Sequence, residues 1–122
     1  MPNKKILVVE DDEMNMELVA AVLKLGKYQM LEAGDAETGI QIANNHQPDL
    51  ILIDIQLPCM DGLSATRIIK EDPKLKEIPV VALSAYAMQE DKDRAREAGC
   101  IGYITKPIDV KGFLATIAGH LT

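Results

Sequence analysis

Residues 48–54 read Pro48-Asp49-Leu50-Ile51-Leu52-Ile53-Asp54, four aliphatic residues in a row delivered straight to an aspartate. Four consecutive apolar side chains leave neither face of a strand polar, the mark of a strand covered on both sides. Ile6-Leu7-Val8-Val9 and Val80-Val81-Ala82-Leu83 are runs of the same kind. Two weaker runs, Tyr28-Gln29-Met30-Leu31 and Ile101-Gly102-Tyr103-Ile104, contain a polar residue or a glycine, which suits the edges of a sheet.

Between these runs the apolar residues recur at helical spacing. Met16, Val19, Ala20 and Leu23 form one stripe, and Ala36, Gly39, Ile40 and Ala43 a second. Ala65, Ile68 and Ile69 mark a third segment; Val110, Phe113, Leu114, Ile117 and Leu121 mark the last. The fourth segment, from about Gln89 to Ala98, is highly charged and apolar only at Ala95 and Ala98, so it is expected to pack least tightly. Gly26 and Gly99 stand where a glycine closes a helix, Asp72-Pro73 stops the third helix, and Asp12 and Asp109 suit helix caps. Strand and helix alternating five times predict an α/β domain: a doubly wound, flavodoxin-like three-layer sandwich around a five-stranded parallel sheet. Order 2-1-3-4-5 places the two weaker runs at the edges.

The 122 residues suit one domain, residues 1–122, and the last helix runs to the end of the chain, leaving no room for an effector domain. An apolar fraction of 48% is enough for a globular core, and no apolar run approaches a membrane span. The start, Met1-Pro2-Asn3-Lys4-Lys5, leads into too short an apolar run for a signal peptide, so a cytoplasmic protein is expected. A net charge of −6 argues against nucleic-acid binding. Cys59 and Cys100 have no metal-ligand or redox spacing and read as reduced thiols.

Sites in open parallel sheets form beyond the carboxyl ends of the strands, where strand order reverses. Glu10, Asp11 and Asp12 follow the first run, Asp54 the third, Ser84 and Ala85 the fourth, and Thr105, Lys106 and Pro107 the fifth. The order 2-1-3-4-5 therefore crowds Glu10, Asp11 and Asp54 together. Such a cluster is costly unless a cation neutralises it, and Mg²⁺, a hard ion that takes carboxylates, waters and phosphate oxygens, suits it best. A carboxylate is also a nucleophile able to form an acyl phosphate, provided that the incoming charge is neutralised. Lys106 can supply an ammonium from the side opposite the metal, and the Ser84 hydroxyl can donate to a phosphoryl oxygen.

These segments, with Leu57-Pro58-Cys59-Met60-Asp61-Gly62, Leu83-Ser84-Ala85 and Tyr103-Ile104-Thr105-Lys106-Pro107, resemble the CheY-like receiver domain of response regulators over the whole chain, with most similarity to single-domain DivK-type regulators. The resemblance implies that Asp54 is the phosphoacceptor in a phosphorelay, fed by a histidine kinase or a phosphotransfer protein. It implies Mg²⁺ on Glu10, Asp11, Asp54 and the backbone carbonyl of Gln56, phosphoryl binding by Ser84 and Lys106, a switch made of Ser84 and Tyr103, and a cis Lys106-Pro107 bond. Catalysis would extend only to the protein's own phosphorylation and dephosphorylation. Gln56 and Tyr86 occupy positions that tune acyl-phosphate lifetime in the family; a bulky Tyr86 is expected to obstruct water and slow hydrolysis. Output is expected to be a protein docked on the face made by the fourth helix, fifth strand and last helix, where Met88 offers either an adaptable contact or plain packing. Glu10 departs from the commoner Asp.

Three rivals stand beside this reading. A small phosphohydrolase with an aspartate nucleophile wants a second Asp two positions on, where this chain has Gln56. A flavodoxin-like ligand module needs a phosphate loop where Glu10-Asp11-Asp12-Glu13 would repel phosphate. A receiver cut from a hybrid histidine kinase would carry the same site.

Overall fold

A computed structural model describes residues 4–121; the reading of the first three residues and the ends of the 1–122 domain lie outside them. Strands β1 (Lys5–Val9), β2 (Gln29–Ala33), β3 (Leu50–Asp54), β4 (Val80–Ser84) and β5 (Gly102–Thr105) alternate with helices α1 (Glu13–Leu25), α2 (Ala36–His46), α3 (Gly62–Glu71), α4 (Gln89–Ala98) and α5 (Val110–Leu121). The strands form one parallel sheet of order β2-β1-β3-β4-β5, as expected.

The period of two along each strand divides the interior into two cores. Leu7, Val9, Ile51, Ile53, Val80 and Ala82 face Ala36 and Ala43 of α2, Ala65 and Ile69 of α3, and Ala95 of α4. Ile6, Val8, Leu50, Leu52, Val81 and Leu83 face Val19, Val22 and Leu23 of α1 and Phe113 and Ile117 of α5. The same parity decides which way each residue at a strand end departs. Glu10, Asp54 and Lys106 continue the rows of Val8, Leu52 and Ile104, on the α1/α5 side. Ser84 continues the row of Ala82, and Tyr103 packs against the core on the α2/α3/α4 side.

Asp12 caps α1, Asp35 α2 and Asp61 α3 through side-chain acceptance of a backbone N–H, and Asp109 accepts from Gly112 in the same way at α5. Three local expectations are corrected. Gly26 closes α1 in right-handed geometry, and Lys27 takes the positive φ of 64°. A Cβ at 26 would lie 2.7 Å from the Tyr28 ring, so a larger residue there would have to displace that side chain. Ile68 and Val110 are 42% and 41% exposed, so they lie off the buried stripes of α3 and α5. Gly99 does take the left-handed conformation, with φ 116°.

Candidate functional site

The register brings the strand ends level. Val9 pairs with Ile53, Asp54 with Leu83 and Ser84 with Thr105, so Glu10 and Asp54 emerge side by side at the carboxyl edge. Both are charged residues buried to within 3% of full enclosure. Lys106, on the far side of β4, reaches back across the sheet end. Its Nζ lies 2.6 Å from Asp54 Oδ2 and 3.1 and 3.2 Å from the two oxygens of Glu10. The second Asp54 oxygen, Oδ1, accepts the Gln56 backbone N–H at 2.8 Å. The Asp54 carboxylate is thereby held from both ends.

Asp11, exposed at the rim, completes an acidic group: one oxygen from each of Glu10, Asp11 and Asp54 lies within 4.8 Å of the others. An open cleft of about 310 Å³ runs along Glu10 and Asp11 past Glu13 and Glu32, leaving room for a hydrated cation. Three hard oxygen donors, of which Glu10 and Asp11 line this open space, fit Mg²⁺, which keeps several waters and accepts few protein ligands.

The electrostatics are unbalanced without such an ion. Burial, followed by the hydrogen bond and charge of Asp54, pushes the Glu10 carboxyl up to about 7, while Asn15 and Lys106 pull the other way. Burial by itself would lower the Lys106 pKa; the hydrogen bonds and charges of Asp54 and Glu10 outweigh it and raise that pKa above the ordinary lysine value. The Glu10 shift implies a pH dependence. In the folded, metal-free protein Glu10 keeps its proton to about pH 7, whereas in the unfolded chain it releases it near 4.5. The stability from this retained proton is complete below about pH 4.5 and is lost as pH rises through about 7. Urea midpoints measured in a chelator are expected to fall across that window, and Glu10→Gln to flatten the fall. Midpoints that rise from pH 4.5 to 7 for the native chain relative to Glu10→Gln would contradict it.

Ser84 and Tyr103 stay out of the charged group, as their parity dictates. The Ser84 hydroxyl, 1% exposed, accepts the Tyr86 backbone N–H at 3.0 Å. The Tyr103 hydroxyl donates to the Tyr86 backbone carbonyl at 2.7 Å. Both therefore grip one residue, while the Tyr86 side chain itself is exposed. The Lys106-Pro107 bond is cis. Gln56 is joined to Asp54 through its main chain. Cys59 and Cys100 are free thiols, the first exposed and the second buried.

Two residues at the site were not singled out from the sequence. Asn15 donates from Nδ2 to Glu10 Oε1 at 3.0 Å. Gly62 opens α3 directly against the backbone of Asp54, and a Cβ there would collide with the Asp54 carbonyl oxygen. The signals were faint: an amide in the first turn after an acidic pair, and an Asp-Gly step at a helix start.

A doubly wound sheet with an acidic pocket and a cross-strand lysine at its carboxyl edge defines a phosphorelay receiver, and the family model for the response regulator receiver domain matches residues 6–118. The chain belongs to this family, the receivers of two-component phosphorelays. It is 42% identical over 118 residues to the polar-differentiation response regulator DivK of Brucella anthropi, an alignment covering 97% of this chain and 96% of that one, and equally so to DivK of Brucella ovis. Among solved structures, the receiver domain of sensor histidine kinase PA1611 from Pseudomonas aeruginosa, with a magnesium ion coordinated in its active-site cleft, superposes with a TM-score of 0.91 at 30% identity over 98% of each chain. A putative response regulator from Chloroflexus aurantiacus gives 0.95 at 26% identity over 98% of each chain. This membership displaces the phosphohydrolase and flavodoxin-like readings. Among the described residues no helix is long and apolar enough to cross a membrane.

Proposed function

We propose that residues 1–122 act as one receiver domain, with Asp54 as its phosphoacceptor. Glu10, Asp11, Asp54 and the backbone carbonyl of Gln56 would hold Mg²⁺. The observation that carries this is the Lys106 ammonium lying against a buried Asp54 that belongs to a group of three carboxylates. An Asp54 oxygen attacks the phosphorus of a phosphohistidine on a histidine kinase or phosphotransfer protein. The P–O bond forms as the P–N bond breaks, and the electron pair leaves with the imidazole nitrogen. When bound, Mg²⁺ supplies positive charge to the phosphoryl oxygens. Lys106 moves from the carboxylates to a phosphoryl oxygen, adding charge opposite the metal. The Ser84 hydroxyl donates to another.

Ser84 and Tyr103 both hold Tyr86, one by its N–H and one by its carbonyl. Drawing Ser84 toward a phosphoryl group would therefore disturb the anchor of Tyr103, which supports a switch running through Tyr86. Tyr86 and Met88, 58% and 65% exposed just before α4, would give the α4-β5-α5 face apolar surface for a downstream protein. Such exposure favours contact over packing as the role of Met88. Tyr86 and Gln56 would set the acyl-phosphate lifetime, and the two free thiols suit a cytoplasmic setting.

Incubation with acetyl phosphate and Mg²⁺ is expected to add one phosphoryl group to the intact mass, and excess chelator to prevent it. No addition, or addition indifferent to chelator, would overturn the reading. Lys106→Met is expected to slow phosphorylation about 100-fold, the scale of losing one charge-stabilising donor. The same change should tighten Mg²⁺ binding about tenfold in calorimetry, because a competing cation leaves the carboxylates. Equal Mg²⁺ affinities would show that Lys106 and the metal do not share these acids.

A further inference from the structure

Glu10 raises a geometric problem that neither its position nor its charge resolves. It is nearly fully enclosed, and both of its oxygens are within hydrogen-bond reach of the Lys106 ammonium. A glutamate has one more rotatable bond than an aspartate, so holding its carboxylate in one orientation costs more side-chain entropy. Asn15 bonds that carboxylate as well: its amide nitrogen donates to Oε1 at 3.0 Å. Asn15 is itself rigidly placed. It lies in the first turn of α1, and its backbone N–H is bonded to the capping carboxylate of Asp12 at 3.2 Å. Asp12 follows Glu10 and Asp11 directly, so the cap of α1 lies only two residues beyond the carboxylate that Asn15 steadies.

We infer that Asn15 is a positioning residue for the cation site: its amide, bonded to the Glu10 oxygen that Lys106 also holds, fixes the orientation of the long Glu10 side chain, so that a glutamate can serve as metal ligand at this place. An amide suits the task because it donates a hydrogen bond without adding a second cation to compete for the carboxylate. Groups that orient a metal's ligands commonly govern affinity about tenfold or more. The inference rests on the reading of Glu10, Asp11 and Asp54 as a Mg²⁺ site.

The test is calorimetric titration with Mg²⁺ of the unphosphorylated full chain, as native protein, Asn15→Ala, Asn15→Gln, Glu10→Asp and the Glu10→Asp/Asn15→Ala double variant. Asn15→Ala is expected to weaken Mg²⁺ about tenfold, and Asn15→Gln, which keeps an amide of longer reach, to recover at least half of that loss on a logarithmic scale. In the Glu10→Asp background, where the carboxylate is one methylene too short to meet Asn15, Asn15→Ala is expected to cost less than about twofold. Melting curves in chelator check that each variant folds; alanine at a helical position favours folding. An equal loss in both backgrounds, or none in either, would overturn the inference while leaving the Mg²⁺ site intact. Absence of Mg²⁺ binding by the native chain would overturn the site, and the inference with it.

Discussion

Asp54→Ala is expected to eliminate phosphorylation by acetyl phosphate and by any phosphohistidine donor, with a loss of at least about 100-fold. The reason lies in how the carboxylate is held. Asp54 Oδ1 takes the Gln56 N–H and Oδ2 the Lys106 ammonium, so its two oxygens are fixed before a donor arrives. Asp11, the nearby rival, is exposed, and no comparable pair of donors fixes it among the described residues. The Ser84 hydroxyl is buried, and Lys106 is bonded to Asp54 and Glu10. The fold should survive, because Lys106 retains Glu10 as a partner. Intact mass and peptide mapping after reaction with acetyl phosphate and Mg²⁺ provide the check. Phosphorylation of Asp54→Ala at the native rate would remove Asp54 from its assigned role.

Gly62→Ala is expected to damage both stability and phosphorylation, although it neither adds nor removes charge. The new methyl group would meet the Asp54 carbonyl oxygen, with the Ile55 Cα 2.9 Å away. These are backbone atoms of the strand end that carries the phosphoacceptor, so no side-chain rotation relieves the collision. Helix α3 cannot retreat cheaply, since the Gly62 N–H bonds the Ile55 carbonyl at 3.0 Å, and the Asp61 cap and the Thr66 hydroxyl bond to the same turn. A cost of about 3 kcal/mol follows for forced overpacking, which for a domain of this size lowers the melting temperature by roughly 10 °C. The surviving folded fraction should phosphorylate at least about tenfold more slowly, because displacement of the Asp54 main chain misaligns its carboxylate. Gly62→Ala matching the native chain in melting and rate would mean that α3 does not constrain the acceptor.

Much of this molecule was legible in one dimension because its governing patterns are local. The aliphatic run 50–53 is buried on both faces wherever it sits in a parallel sheet, and it must deliver residue 54 to the sheet edge. Gln29 and Gly102 marked the edge strands for the same reason. At Gly26 a through-space neighbour adds to the local reading: a Cβ there would lie 2.7 Å from the Tyr28 ring, which would have to shift. Ile68 and Val110 match the helical spacing yet remain exposed, because the stripes that the core covers, Ala65, Thr66 and Ile69 on α3 and Phe113 and Ile117 on α5, pass beside them.

Sequence by itself determined the element order, the two-faced sheet and the presence of acids, serine and lysine at successive strand ends, since each follows from spacing within a few residues. Only the tertiary structure decided their association. Strand parity sends Glu10, Asp54 and Lys106 to the α1/α5 side and Ser84 and Tyr103 to the other, and pairing across the sheet sets Lys106 on carboxylates 52 and 96 residues away. Asn15 and Gly62 enter the site through contacts between separate elements. Their importance depends on distance in space, which no periodicity along the chain encodes.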